Sequence, residues 1–214
     1  RGVVSLVETL PSQRRKRLTA LLVSFFAVTL AEIGDKTQLL ALILAARFRR
    51  PFPIIAGILV ATRANHAIAA DLGSWLAGRI PEETLNWLAA VLFVAMGLWI
   101  LVPDREDEAE ASYRFGPFLT TLITFFLAEI GDKTQIATVV LALEYQAVAM
   151  VVVGTTIGML AANVPAVLAG HLTADRLPLR AIRVIAATVF VALGAFAYFT
   201  GAAPSPLPAP TQLE

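Results

Sequence analysis

The sequence has no cysteine and few charged residues. Without cysteine, disulfide bonds, thiolate metal sites and cysteine nucleophiles are excluded. Charged residues make up only 15% of the 214 residues, whereas hydrophobic residues make up 57%. The 17 basic and 16 acidic residues nearly cancel, so no overall field would attract a polyanion. A soluble fold of this size could not bury so much apolar surface, so the composition argues against a soluble enzyme or a nucleic-acid-binding protein and favours a membrane protein.

Apolar runs long enough to cross a bilayer recur along the whole chain. A transmembrane helix needs roughly 17 to 25 mainly apolar residues, and the mean hydropathy of +0.74 is typical of a chain that lies largely in the membrane. The connections between the runs leave no room for a soluble catalytic domain. The runs predict six transmembrane helices near residues 18–46, 53–78, 84–102, 116–143, 147–172 and 180–200.

The two halves of the chain are copies of each other. A shift of 97 residues aligns residues 30–101 with residues 127–198 without a gap, and 24 of the 72 pairs are identical. In a chain of so biased a composition, roughly a tenth of the pairs would be identical by chance. The observed fraction is well above this, so the chain contains a duplication. Each copy holds three spans, an odd number, so the second copy must enter the membrane from the opposite side. We therefore predict an all-α membrane protein of two inverted-topology three-helix repeats, an arrangement suited to alternating access.

The duplication also divides the chain into segments. The segments have different compositions, since the outer ones are basic or rich in proline and the central loop is acidic. We predict a basic N-terminal segment (1–17), repeat 1 (18–102), an acidic linker loop (103–115), repeat 2 (116–200) and a Pro-rich tail (201–214).

Each repeat carries the same charged motif in the middle of its first predicted span. Residues 30–38 read LAEIGDKTQ, and residues 127–135 repeat them without a change. The motif lies about 21 Å into the span at 1.5 Å per residue, which is near the centre of the bilayer. Ionisable groups at that depth are costly unless they face a partner or a wet cavity, so they indicate function.

Helical geometry indicates which side chains of the motif could act together. In a continuous helix Glu32, Asp35 and Lys36 fall within one arc of about 100°. Thr37 points away from that arc, so it would bond a carbonyl one turn back, or reach the site if the helix breaks at Gly34. In an inverted pair the two arcs meet at the midplane. The four carboxylates that would cluster there are those of Glu32, Asp35, Glu129 and Asp132.

Such a cluster must hold either protons or a cation, and competition between the two would couple them in antiport. Its donors are carboxylate, amide, hydroxyl and carbonyl oxygens, which suit hard cations such as Mn2+, Ca2+ or Mg2+. The predicted cation ligands are Glu32, Asp35, Glu129, Asp132, Gln38 and Gln135. The predicted supporting residues are Thr37, Thr134, Lys36, Lys133, Asn65, His66 and Asn163.

Several of these polar residues allow more than one interpretation. The shift of 97 pairs His66 with Asn163 in the second span of each repeat, and these groups would complete the coordination shell, hydrogen-bond the carboxylates or simply pack. The motif itself has a purely structural alternative, in which the glutamate of each copy pairs with the lysine four residues on, Glu32 with Lys36 and Glu129 with Lys133, and only neutralises charge inside a packed bundle.

The duplicated Glu-x-Gly-Asp-Lys-Thr motif resembles that of a divalent-cation/proton exchanger family, which includes Golgi Mn2+/Ca2+ exchangers and bacterial manganese exporters. The resemblance covers about residues 18–200. It implies that the four motif carboxylates bind the transported ion, with the motif threonines and glutamines nearby. The compact, Ala- and Arg-rich chain is similar to bacterial inner-membrane members, for which removal of Mn2+ from the cytoplasm is the expected task.

The main hypothesis is therefore a multi-pass transporter of the bacterial inner membrane that exports Mn2+, or also Ca2+, in exchange for protons. Under this hypothesis the protein is not an enzyme and needs no cofactor beyond the transported ion. It binds no nucleic acid and interacts with lipid, and whether it forms a homo-oligomer stays open. One alternative is an inverted-repeat exporter of a small organic cation or amino acid, against which four acids and few aromatic walls argue. Another is an intramembrane metal-dependent enzyme, for which no histidine-rich or Ser/His motif is present.

Overall fold

The computed structural model describes residues 11–102, 115–169 and 179–201, which form α-helices, without a β-strand in these ranges. The predicted linker residues 103–114, the tail residues 202–214 and residues 1–10 of the basic segment lie outside the described residues. The helices are α1 (Ser12–Glu32), α2 (Lys36–Phe48), α3 (Pro51–Ala77), α4 (Glu82–Ile100), α5 (Pro117–Glu129), α6 (Lys133–Tyr145), α7 (Val148–Ala169) and α8 (Leu179–Gly201).

Each predicted span corresponds to one helix or to a pair of helices. Four of the predicted spans match α3, α4, α7 and α8 closely. The first predicted span is divided between α1 and α2, and the fourth between α5 and α6, so the prediction of one continuous helix through each motif is wrong. The axes of α1 and α2 are bent by 72° at their junction.

The described helices are apolar on their outer surface as well as in the core. Large side chains such as Phe52 and Phe199 are 81% and 71% exposed. Helices α3 and α7 are each long and apolar enough to cross a bilayer, and α1 with α2 would be a third if the bent pair counts as one span. Three further segments are apolar but shorter, namely Thr84–Ile100, Pro117–Glu129 and Val184–Phe199. An apolar exterior of this extent indicates a bundle in contact with lipid.

Helix packing repeats with the same 97-residue shift as the sequence. Helix α1 packs on α7 and α5 packs on α3, so the first helix of each half lies on the long middle helix of the other half. The last helices of the two halves, α4 and α8, also pack together, and the rings of Phe93 and Phe190 lie 6.2 Å apart at their centroids. These two residues are equivalent under the 97-residue shift.

The direction of α4 against α8 follows from two equivalent glycines. Gly97 of α4 lies against Ala187 of α8, and Gly194 of α8 lies against Ala90 of α4. Residue numbers therefore fall along one helix as they rise along the other, so the two helices run antiparallel. A two-fold axis perpendicular to both helices has this effect.

Gly57 and Gly154, which are equivalent under the 97-residue shift, make equivalent close contacts between helices. Gly154 of α7 packs on Leu21 and Ser24 of α1. Gly57 of α3 packs on the residues 97 positions further along, Phe118 and Thr121 of α5. The halves therefore exchange equivalent contacts.

Replacing Gly154 with Ala should destabilise the protein by about 1–3 kcal/mol. The added Cβ would collide with the Leu21 carbonyl oxygen, and it would lie 2.9 Å from the Ser24 Cβ. Because the obstacle is backbone, the clash is relieved only if α1 moves away from α7. The thermal unfolding midpoint of the detergent-solubilised protein should therefore fall.

Gly57→Ala should have an effect of similar size, because its Cβ would lie 2.8 Å from the Phe118 carbonyl oxygen. Gly116→Ala is the matched control, since a Cβ there meets no described atom within 4 Å. Equal midpoints for the three variants would contradict the assigned close contacts.

Candidate cation-binding site

The motif interrupts a helix in both halves with nearly the same backbone geometry. Gly34 has a φ of 79° and Gly131 has a φ of 74°, in a left-handed region of the backbone that residues with a Cβ rarely adopt. The preceding residues are extended, with φ −65° and ψ 118° at Ile33 and φ −64° and ψ 119° at Ile130. The alternative in which the helix breaks at Gly34 is therefore confirmed, and the continuous 100° arc is wrong.

Two glutamines support these breaks. The Gly34 N–H donates to Gln38 Oε1 at 3.0 Å, and the Gly131 N–H donates to Gln135 Oε1 at 2.6 Å. Gln38 Nε2 also donates to the carbonyl oxygen of Ala162 in α7 at 3.0 Å. The amide oxygens predicted as cation ligands thus accept backbone hydrogen bonds, and each keeps a second lone pair for the predicted role.

The break brings each motif threonine to the glutamate of its own motif. Thr37 Oγ1 donates to Glu32 Oε1, and Thr134 Oγ1 donates to Glu129 Oε2 at 2.7 Å. In a continuous helix, residues five positions apart would point about 140° away from each other. Both glutamates are completely buried. The bend is therefore what turns the threonine hydroxyls towards the carboxylates.

The second span of each half places polar side chains against the other half. Asn163 of α7 donates from Nδ2 to Glu32 Oε1 at 3.1 Å. Asn65 of α3 donates to the Phe126 carbonyl oxygen of α5 at 3.0 Å. His66, which is equivalent to Asn163 under the shift, is completely buried, and neither ring nitrogen has a hydrogen-bond partner among the residues described.

An ion pair joins the two motifs. Lys36 Nζ lies 3.2 Å from Asp132 Oδ1. The structural alternative in which Lys36 pairs with Glu32 is therefore wrong, because the break takes these residues out of a common helical register. Lys133 Nζ donates to the carbonyl oxygen of Val102, just beyond the end of α4, at 2.9 Å.

The four motif carboxylates are buried near one another. Glu32 experiences charge repulsion from Glu129, Asp35 and Asp132, and each of the four side chains is at most 7% exposed. Three of their oxygens are buried without a hydrogen-bond partner in the described ranges, namely Glu32 Oε2, Glu129 Oε1 and Asp132 Oδ2. Within these ranges no three His, Asp or Glu side chains are arranged so that they could hold one metal ion. One cation shared by all four would therefore require the carboxylates to move closer together.

A sequence profile of the family described as "Divalent cation/proton antiporter GDT1" matches the chain twice, over residues 20–108 and over residues 117–205. The second match is displaced from the first by 97 residues, the period of the internal repeat. The chain belongs to the GDT1 family. It is therefore a membrane transporter of cations and not an enzyme, and the resemblance based on the duplicated motif is confirmed.

Relatives of this GDT1 chain occur in bacteria and plants. A Vibrio cholerae protein named "Putative manganese exporter" is 52% identical over 184 residues, which cover 85% of this chain and 92% of the relative. GDT1-like protein 3 of Oryza sativa subsp. japonica is 27% identical over 207 residues, covering 84% of this chain and 74% of the relative. GDT1-like protein sll0615 of Synechocystis is 26% identical over 205 residues, covering 86% and 98%. No solved structure matches the chain.

Some polar groups around the GDT1 motifs were missed by the sequence analysis. The carbonyl oxygens of Ala162, Phe126 and Val102 accept hydrogen bonds from predicted site residues, but main-chain groups leave no mark in a sequence. The buried hydroxyl of Thr62 has no hydrogen-bond partner in the described part of the chain, and it lies one turn before His66. A threonine four residues before a buried histidine shares its helix face, which is the signal that could have identified it.

Proposed function

We propose that this protein exports Mn2+ across a bacterial inner membrane in exchange for protons, and that the cation binds between the two motifs. The observation that carries the proposal is the set of buried carboxylates contributed by both motif copies, with three oxygens that lack hydrogen-bond partners in the described ranges. Buried carboxylates are costly unless a proton or a cation neutralises them. The proposed ligands are Glu32, Asp35, Glu129, Asp132, Gln38 and Gln135.

In this proposal the chain crosses the membrane six times. The broken pairs α1–α2 and α5–α6 each count as one span, and α3, α4, α7 and α8 supply the others. The exchanged packing of the halves and the antiparallel course of α4 and α8 support inverted repeats. In transporters of this kind, broken helices near the midplane free backbone groups for ion binding, and the halves exchange roles to open the site to either side.

Charge balance supports proton exchange. A divalent cation and protons neutralise the same carboxylates, so the cluster carries little net charge when it has bound either of them. In either bound state the site can then open to the other side of the membrane. The unloaded cluster would carry negative charge through a low-dielectric region, which is costly. The two substrates therefore bind in alternation.

The chemistry of the donors and the bacterial relative together favour Mn2+. Oxygen ligands suit Mn2+, Ca2+ and Mg2+ alike, whereas the name of the Vibrio cholerae relative refers to manganese. Ca2+ is the second candidate substrate. The supporting roles of Asn65, His66 and Asn163 and the absence of a resident cofactor stay predictions, and the oligomeric state stays open.

Flux into proteoliposomes tests the proposal. Vesicles with an acidic lumen and an enclosed Mn2+-sensitive dye should take up Mn2+ when the protein is present, because protons leave as the cation enters. Collapse of the pH gradient with a proton/potassium exchanger should abolish the accumulation of Mn2+ above its external concentration. Protein-free vesicles are the control, and Ca2+ and Mg2+ are compared in the same assay.

Accumulation of Mn2+ to the same level with and without the pH gradient would contradict proton exchange. Uptake of radiolabelled arginine without uptake of any divalent cation would favour the organic-cation exporter instead. Competition between Mn2+ and Ca2+ for one saturable uptake would support a shared site.

A further inference from the structure

Lys36 of the first motif contacts the second motif. Its Nζ lies 3.2 Å from Asp132 Oδ1, and Asp132 is a proposed cation ligand from the other half. The Lys36 ammonium is also attracted by the negative charges of Asp35 and Glu129. Three of the four motif carboxylates therefore act on this one ammonium group.

Lys36 is more exposed than its carboxylate partner Asp132. The Lys36 side chain is 31% exposed, whereas Asp132 is only 5% exposed. The ammonium therefore reaches the carboxylate from a more accessible region, and its long flexible stem allows it to withdraw without a backbone movement. Lys133, the equivalent residue of the second motif, is 4% exposed and donates to the Val102 carbonyl oxygen. The two lysines thus differ in exposure in this structure.

The location of Lys36 has a consequence for cation binding. A lysine ammonium and a divalent cation cannot occupy the same side of Asp132 Oδ1 at contact distance, because their charges repel at close range. Binding of the transported cation at Asp132 Oδ1 therefore requires that Lys36 leaves, and a cation at the neighbouring Oδ2 would be repelled by the Lys36 ammonium and bind more weakly while Lys36 stays. Conversely, Lys36 neutralises part of the cluster when the transported cation does not.

We propose that Lys36 is a tethered counter-cation that competes with the transported cation for Asp132 and so sets the affinity and turnover of the exporter. The inference rests on the proposed function, since it needs a divalent cation that binds the motif carboxylates. It makes Lys36 a positioning residue for the cation rather than a ligand. The competition weakens binding, so the cation is released more readily.

The test compares cation affinity with maximal rate in Lys36→Gln. Binding of Mn2+ to the purified full-length protein is followed by the electron paramagnetic resonance signal of free Mn2+ at one fixed pH. We expect the dissociation constant to fall at least about tenfold, because the internal competitor is gone. In proteoliposomes the half-saturating Mn2+ concentration should fall by a similar factor, while the maximal rate also falls, because the more tightly bound cation is released more slowly.

Three further variants separate competition from a structural role. Lys36→Arg keeps the positive charge and should bind Mn2+ within about twofold of the wild type. Lys16→Gln, which removes an exposed lysine of α1, should do the same. Lys36→Met has similar length without charge, and it should repeat the tighter binding if the glutamine variant is poorly folded. A purely structural ion pair would instead lower the unfolding midpoint and leave the dissociation constant of the folded fraction unchanged.

The outcomes distinguish this inference from the proposed function. If the wild type carries Mn2+ but both uncharged variants bind it as the wild type does, or more weakly, the competition is refuted and the exporter stands. If the wild type neither binds nor carries a divalent cation, the proposed function is refuted, and the role of Lys36 with it.

Discussion

Mn2+ flux should fall by roughly a hundredfold when Glu32→Gln and Asp132→Asn are combined, one substitution in each motif. Both substitutions keep the size of the side chain and remove its charge, and Thr37 can still donate to the amide oxygen at position 32. If each carboxylate contributes at least about 1.4 kcal/mol to cation binding, the loss of each one should weaken cation affinity about tenfold. The measurement is the initial rate of Mn2+ uptake at low Mn2+ concentration, normalised to the amount of reconstituted protein.

The mirror-image pair, Asp35→Asn with Glu129→Gln, should have an effect of the same order because the halves are equivalent under the 97-residue shift. Asp71→Asn is the matched control. Asp71 is an exposed acid of α3 whose equivalent in the other half is Leu168, so its loss should leave flux near the wild-type rate. If Glu32→Gln with Asp132→Asn transported Mn2+ at the wild-type rate, the proposed ligand assignment would be wrong.

The helices themselves could be predicted from the sequence because their positions depend on long apolar runs. The predicted span 53–78 and the helix Pro51–Ala77 differ by two residues at the start and one at the end. The first predicted span starts at residue 18, whereas α1 starts at Ser12, because basic residues with good helix propensity extend the helix beyond its apolar part. Apolar runs therefore indicate where a helix lies, but the ends depend on propensity and caps as well.

The internal geometry of the site was less accessible from the sequence. Glycine inside an apolar run is compatible with an intact helix, so Gly34 predicted the break only as an alternative. The pairing of Lys36 with Asp132 joins residues 96 positions apart, and it depends on how the two halves pack. The repeat did predict that equivalent residues face the opposite half, and Asn163 beside Glu32 is an example. Local pattern thus predicts the elements, whereas contacts between halves need the packed structure.

Gly131→Ala should reduce Mn2+ flux at least about tenfold and destabilise the protein by about 1–2 kcal/mol. Gly131 has a φ of 74°, and a Cβ there would meet no described atom within 4 Å, so the expected effect comes from the backbone conformation and not from a clash. With alanine, the chain either keeps the strained conformation or continues the helix from α5 into α6. A continuous helix would turn Thr134 about 140° away from Glu129 and would move Asp132 from its place beside Lys36.

Two further variants isolate this backbone effect. Gly131→Asn should retain more flux than Gly131→Ala, because asparagine tolerates left-handed backbone conformations better than alanine does. Gly116→Ala adds a methyl group in equally open space, but Gly116 has a φ of −56°, so both its flux and its unfolding midpoint should match the wild type. Flux and unfolding midpoint are measured for all three variants. If Gly131→Ala transports as fast as Gly116→Ala, the broken helix is not needed for transport, and a continuous span through the motif would suffice to carry the cation.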